Sequence, residues 1–143
     1  MIEKTDLMVD VHLSLFFVVA GTGGVPEPKY SDAFLEVRGS GLICFSAAPE
    51  HTAKVRLEWW QGRPPPCPEP WEAQRIVELE RGDGPAAIVP LADGVSSTFP
   101  LGDAPGRRLR AHVLCRGRKK IRQLNGAVPS VGTEVWLIQL WFP

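Results

Sequence analysis

Proline and glycine, fourteen of each in 143 residues, interrupt this chain too often for a long helix. Proline removes an amide donor and clashes with the preceding helical turn, and glycine carries the largest backbone entropy cost. Short elements joined by turns are what such a chain can build. Between the breakers the residues alternate. In AKVRLEWW (53–60), Val55, Leu57 and Trp59 alternate with Lys54, Arg56 and Glu58. In 107–116, Leu109, Ala111, Val113 and Cys115 alternate with Arg108, Arg110, His112, Leu114 and Arg116. A period of two buries one set and wets the other, as in a strand laid over a core.

The same reading extends along the chain. Val11, Leu13, Leu15, Phe17 and Val19 lie at period two, and Phe16 and Val18 make the later half apolar on both faces, so 11–19 is expected as one buried first strand. A long loop, GTGGVPEPKYSD, follows, with Ser31 placed to cap one helical turn over Asp32–Val37 that Gly39 closes. Further strands are expected at 41–48, 53–60, 73–80, 86–91, 96–101 and 107–116. PPPCPEP (64–70) lacks the amide donors for a central sheet. It is expected as a rigid polyproline connection across one end of the fold, or as a ligand for an aromatic groove on another protein. GRKKIRQLNGAVPSVG is too polar for a strand and too glycine-rich for a long helix. EVWLIQLWFP, apolar on both faces, is expected at the centre of a sheet or against a partner, where it suits the edge of a homodimer. About eight short strands with one short helical turn make an all-β fold, an antiparallel two-sheet β-sandwich in one domain over 1–143.

Composition narrows the functions. The chain is long enough to bury a core without metals or disulfides, and its 44% hydrophobic and 22% charged residues suit a soluble globular protein. Cys44, Cys67 and Cys115 are odd in number and form no CxxC or Cys/His cluster, so no disulfide framework or metal site is expected. Cys44 and Cys115 read as reduced core thiols. VHLSLFFVVAG is apolar like a signal peptide, but MIEKTDLMVD ahead of it carries three acids against one lysine, the wrong sign for a leader. The run is also shorter than the roughly 20 residues a bilayer requires, so a cytoplasmic protein without a membrane partner is expected. His12, His51 and His112 have no serine, cysteine or carboxylate at a motif spacing, although folding alone can assemble a triad. GTGGVP lacks the Lys-Ser/Thr of a phosphate loop. No enzyme and no cofactor is expected.

RRLRAHVLCRGRKKIR (107–122) holds eight Arg and Lys residues and no acid, in a chain of zero formal net charge. Up to Trp60 there are 5 basic and 8 acidic residues, and after it 11 and 8, so the halves carry −3 and +3. Three readings stay open: a solvated strand face balanced by Glu58, Glu78 and Glu80, a docking surface for a protein, or a nucleic-acid footprint. Nucleic acid is the weaker fit, because no aromatic lies between Phe99 and Trp136 to stack on bases. Trp60, opposite in phase to Trp59, is either exposed or covered by the proline run. With Arg63 beside it and Trp71 beyond, it suits an interface anchor, since Trp and Arg dominate hot spots. The expected partner-binding residues are therefore Trp60, Arg63 and Trp71, with Arg108, Arg110, Arg116 and Arg118 as a charged rim.

Four parts and their order carry a resemblance: YSDAFLEVRGSGLICFSA (30–47), the charged-alternating strand after it (53–60), STFPLGDAPGRRLRAHVLCRGR (97–118) and the closing EVWLIQLWFP. Covering about two fifths of the chain, they resemble small bacterial β-sandwich proteins related to competence protein J, the inhibitor of the DNA-entry nuclease. Trp136 stands where such endings usually have Tyr, and the chain is neutral where an inhibitor of a basic nuclease is expected to be acidic. The resemblance implies a cytoplasmic inhibitor or immunity-type protein that neutralises a toxin or nuclease by binding it. A nucleic-acid-binding accessory protein using 107–122, and a small-molecule-binding sandwich, are the alternatives.

Overall fold

The computed structural model describes residues 1–21, 27, 33–91, 97–102, 104, 106–124 and 130–143. In chain order the elements are β1 (Glu3–Val11), β2 (Leu15–Val19), β3 (Leu35–Arg38), β4 (Gly41–Phe45), β5 (His51–Trp60), β6 (Ala73–Glu80), β7 (Ala86–Pro90), β8 (Ser97–Phe99), β9 (Arg108–Arg116), α1 (Arg118–Leu124) and β10 (Val131–Trp141). The first sheet has the order β1-β5-β10-β9-β6 and the second β3-β4-β2-β7-β8. Every pairing is antiparallel except that of β5 with β10.

The sheets face one another across a shared core. Val55, Leu57, Leu109, Ala111, Val113, Trp136, Ile138 and Leu140 from the first meet Phe16, Val18, Leu42, Cys44 and Ile88 from the second. At its centre Phe16 meets Trp136 edge-on with ring centroids 5.3 Å apart, an arrangement aromatic quadrupoles favour. Because Leu15, Phe17, Ile43 and Phe45 also pack together, the middle of the second sheet is buried on both sides. That explains why 15–19 and 41–45 read as continuous apolar runs rather than alternations.

The β-sandwich is as expected, but four local expectations are corrected. The segment 11–19 is not one strand: β1 ends at Val11, and β2 begins in the other sheet at Leu15. Leu13 and Ser14 turn the chain with φ of 51° and 68°, a conformation that costs a non-glycine residue about 1–3 kcal/mol. Glu50 braces the turn by accepting from His12 Nδ1 at 2.8 Å and the Leu13 amide at 3.4 Å. The helical turn expected over Asp32–Val37 is instead strand β3 from Leu35, and Gly39 (φ 58°) closes the β3–β4 hairpin; Ser31 and Asp32 lie outside the described residues. Among the described residues the one helix is α1, inside the segment that was too glycine-rich for a long one, and ten strands stand where about eight were expected.

The fourth correction concerns the proline run. β5 and β10 run parallel, while β9 opposes β10 and β6 opposes β9, so β5 and β6 point the same way with two strands between them. The chain between Trp60 and Ala73 must therefore return along the length of the sheet, a task usually given to a helix. Here 61–72 does it as an extended strap over the outer face of the first sheet, not across one end of the sandwich. β10 takes the centre of that sheet, as its two apolar faces suggested, so it is no dimer edge.

Candidate functional site

The outer face of the first sheet is built by strand alternation. Lys54, Arg56, Glu58 and Trp60 of β5, Val135, Leu137, Gln139 and Trp141 of β10, and Arg108, Arg110, His112, Leu114 and Arg116 of β9 all point away from the core. The strap covers the middle of this face. Beneath it Leu114, Leu137, Gln139 and Trp141 are buried although they face outward. Glu58 is buried too, with one oxygen accepting from Trp60 Nε1 and Gln139 Nε2, each at 2.9 Å. Gln139 Oε1 and Trp71 Nε1 are buried and have no hydrogen-bond partner among the described residues.

Two carboxylates fasten the lower end of the strap. Glu69 pairs with Arg116, whose guanidinium lies 5.0 Å from the centre of the Trp71 ring. Glu72 accepts the amides of Gly117 (2.8 Å) and Lys119 (3.1 Å), so it caps α1 from outside the helix. A cavity of about 250 Å³ separates Pro64–Pro66 from Ile76, His112 and Trp141, with Arg63 at its rim. A second, of about 230 Å³, lies among Lys54, Arg56, Glu69, Trp71 and Arg116.

Six of the seven expected partner-binding residues meet on this face. Arg108 and Arg110 approach Glu78 at 3.4 and 3.5 Å, so the rim is balanced by one of the carboxylates the sequence named. Arg56 and Asp6 pair at 2.8 Å, and that hydrogen bond holds the Asp6 carboxyl below its usual range. His112 contacts Gln74 at 3.0 Å, and burial holds its imidazole below the ordinary value. Trp60 and Trp71 are half-buried at the two ends of the strap, and Arg63 is exposed.

Arg118 goes elsewhere. Its guanidinium turns inward, donates to the Phe45 carbonyl at 2.8 Å and lies 3.7 Å from Glu134, whose side chain is wholly buried. Glu134 also accepts from Trp136 Nε1 at 2.7 Å and from the Ala47 amide at 2.9 Å. Close by, Ser46 Oγ lies 2.6 Å from His51 Nε2, and the same nitrogen is 3.8 Å from Glu134. The fold thus brings serine, histidine and carboxylate together, which no spacing in the sequence announced. The arrangement is not a nucleophilic relay: serine and carboxylate both address Nε2, whereas a relay puts them on opposite ring nitrogens. The His51 side chain is 1% exposed, and its burial, partly opposed by Glu134, lowers its pKa. Burial likewise pushes the Cys44 and Cys115 thiols up and keeps them protonated.

No protein-family model matches the chain, and no curated protein matches it in sequence. Solved structures do match its fold. ComJ from Bacillus subtilis, the inhibitor of the DNA-degrading activity of NucA, superposes with a TM-score of 0.68 at 10% identity, covering 100% of this chain and 99% of that one. Crocagin biosynthetic gene J superposes with a TM-score of 0.64 at 14% identity, covering 98% and 97%. The chain shares the fold of these two proteins from end to end.

Proposed function

We propose that this protein is a cytoplasmic, non-enzymatic inhibitor of immunity type that neutralises a toxin or nuclease by docking the outer face of its first sheet. The observation that carries this reading is the end-to-end likeness to ComJ, which inhibits a DNA-degrading enzyme. Trp60 and Trp71 are the aromatic anchors at the two ends of the strap, with Arg63, Arg108, Arg110 and Arg116 around them. Arg118 contributes to the fold instead. The shared core supports a single domain over 1–143. Three unpaired cysteines, two of them buried, suit a reducing compartment.

The ion pairs weigh against nucleic acid. Arg56, Arg108, Arg110 and Arg116 each lie against Asp6, Glu78 or Glu69, so less of their charge is available to phosphates than the sequence implies. The test is recovery of the tagged protein from its own source lysate, with and without nuclease treatment, followed by a DNA-degradation assay on whatever co-purifies. A stoichiometric nuclease that this protein inhibits, whose docking surface is acidic and which an R108E/R110E variant therefore binds more slowly, is the expected result. Association unchanged by the reversal would remove the arginines from the site, and recovery of nucleic-acid-linked proteins alone would overturn the reading.

A further inference from the structure

The four sheet edges are not alike. β3 and β8 are short, with 4 and 3 residues, and β6 is tied to the second sheet by Arg75, which donates to the Leu35 carbonyl. Such edges resist pairing with another chain. β1 differs: it runs 9 residues in unbroken register against β5, contains no proline or bulge, and has no strand on its far side among the described residues. Met8 on its outer face is 51% exposed, and Ile2 just before it 52%.

We infer that β1 pairs antiparallel with β1 of a second copy of this chain about a two-fold axis at Leu7, joining two five-stranded sheets into one of ten. The charges select this register. A two-fold axis at Leu7 sets Lys4 opposite Asp10 of the partner copy, twice by symmetry, with Asp6 opposite Met8. An axis at Asp6 would oppose that carboxylate to itself, and one at Met8 would oppose Asp6 to Asp10. An axis at Thr5 sets Lys4 opposite Asp6 but leaves Val9, Asp10 and Val11 beyond the paired segment. On the inner face the Leu7 axis matches Thr5 with Val9, a pairing of β-branched residues that strands favour. The expected dimer edge thus moves from β10 to β1, and the proposed docking face stays open beside it.

The experiment is sedimentation equilibrium of the purified protein across concentrations, with K4D, the double variant K4D/D10K and the double variant K4D/D6K. Lys4 is exposed and Asp10 lies at the surface, so circular dichroism should report an unchanged fold in K4D and K4D/D10K. A reversible dimer is expected, weakened about tenfold or more in K4D, where two attractive pairs become repulsive. K4D/D10K should restore it and K4D/D6K should not. A protein that stays monomeric throughout, a dimer indifferent to K4D, or rescue by D6K in place of D10K would each overturn the proposal. So would a monomer in which K4D weakens nuclease binding, since β1 would then serve the partner and not a second copy.

Discussion

Arg108 and Arg118 lie ten positions apart in one basic stretch and live in opposite environments. The Arg108 side chain is 67% exposed and shares Glu78 with Arg110, while that of Arg118 is 11% exposed and reaches the wholly buried Glu134. An exposed pair gains little, because water screens it and two long side chains must be held still. A buried pair is different. Removing one partner strands a charge where no water can solvate it. A run of like residues in sequence is therefore no measure of a run of like roles. The alternation of β9 assigns Arg108, Arg110 and Arg116 to the outer face, and past Gly117 the chain turns so that Arg118 faces the core.

The sharpest way to break this contrast is to remove Glu134. An E134L variant should lose about 3–5 kcal/mol, read as a shift in the urea midpoint, because Arg118 loses its counter-ion while Trp136 Nε1 and the Ala47 amide lose their acceptor. A loss below about 1 kcal/mol would mean that Arg118 reaches water after all and belongs with its neighbours. Acid probes the same region. Folded His51 sits below its ordinary value because of burial, so as pH falls the unfolded chain takes up its proton first. Stability should hold above about pH 6.5 and then decline, by up to about 1.4 kcal/mol per pH unit for one imidazole. Urea midpoints at pH 7.5, 6.5 and 5.5 would show it, and a flat profile would mean that His51 protonates in place beside Glu134.

The strap offers a milder test. Trp71→Phe keeps most of the ring under Arg116 but deletes a buried donor without a described acceptor, so stability should change by no more than about 1 kcal/mol, and upward if the donor is unsatisfied. A larger loss would reveal a hydrogen bond in solution. Smallest of all, Arg108→Ala should stay within about 0.5 kcal/mol of the parent. A greater cost would mean that Arg108 is held in the fold as Arg118 is.

What the sequence made legible was whatever repeats every two residues. β5, β6 and β9 alternate over several residues, and β10, apolar on both faces, declared itself central. The β1–β2 turn stayed hidden because its braces are distant in sequence: Glu50, thirty-seven residues from Leu13, accepts the Leu13 amide, and the Pro49 carbonyl accepts that of Ser14. Polyproline has no in-and-out period, so the strap could be recognised as extended but not placed over Gln139 and Trp141. The Ser46–His51–Glu134–Arg118 cluster joins residues from opposite parts of the chain, and local pattern cannot report such distances. Of the site, its face was readable from the alternation of β9, whereas the inward turn of Arg118 and the ion pairs that balance its neighbours were not.

The position of β10 bears on the order of manufacture. A ribosome releases β1, β5, β6 and β9 before β10, yet β10 is the strand that divides β5 from β9. Until residues 131–141 emerge, the first sheet exists as two unjoined pairs, β1 with β5 and β6 with β9, linked by a strap that has no Gln139 or Trp141 to cover. Domains commonly start folding while synthesis continues. Here the first sheet can only be completed once β10 has been made, so its outer face takes shape after β1, β5, β6 and β9 have all left the ribosome.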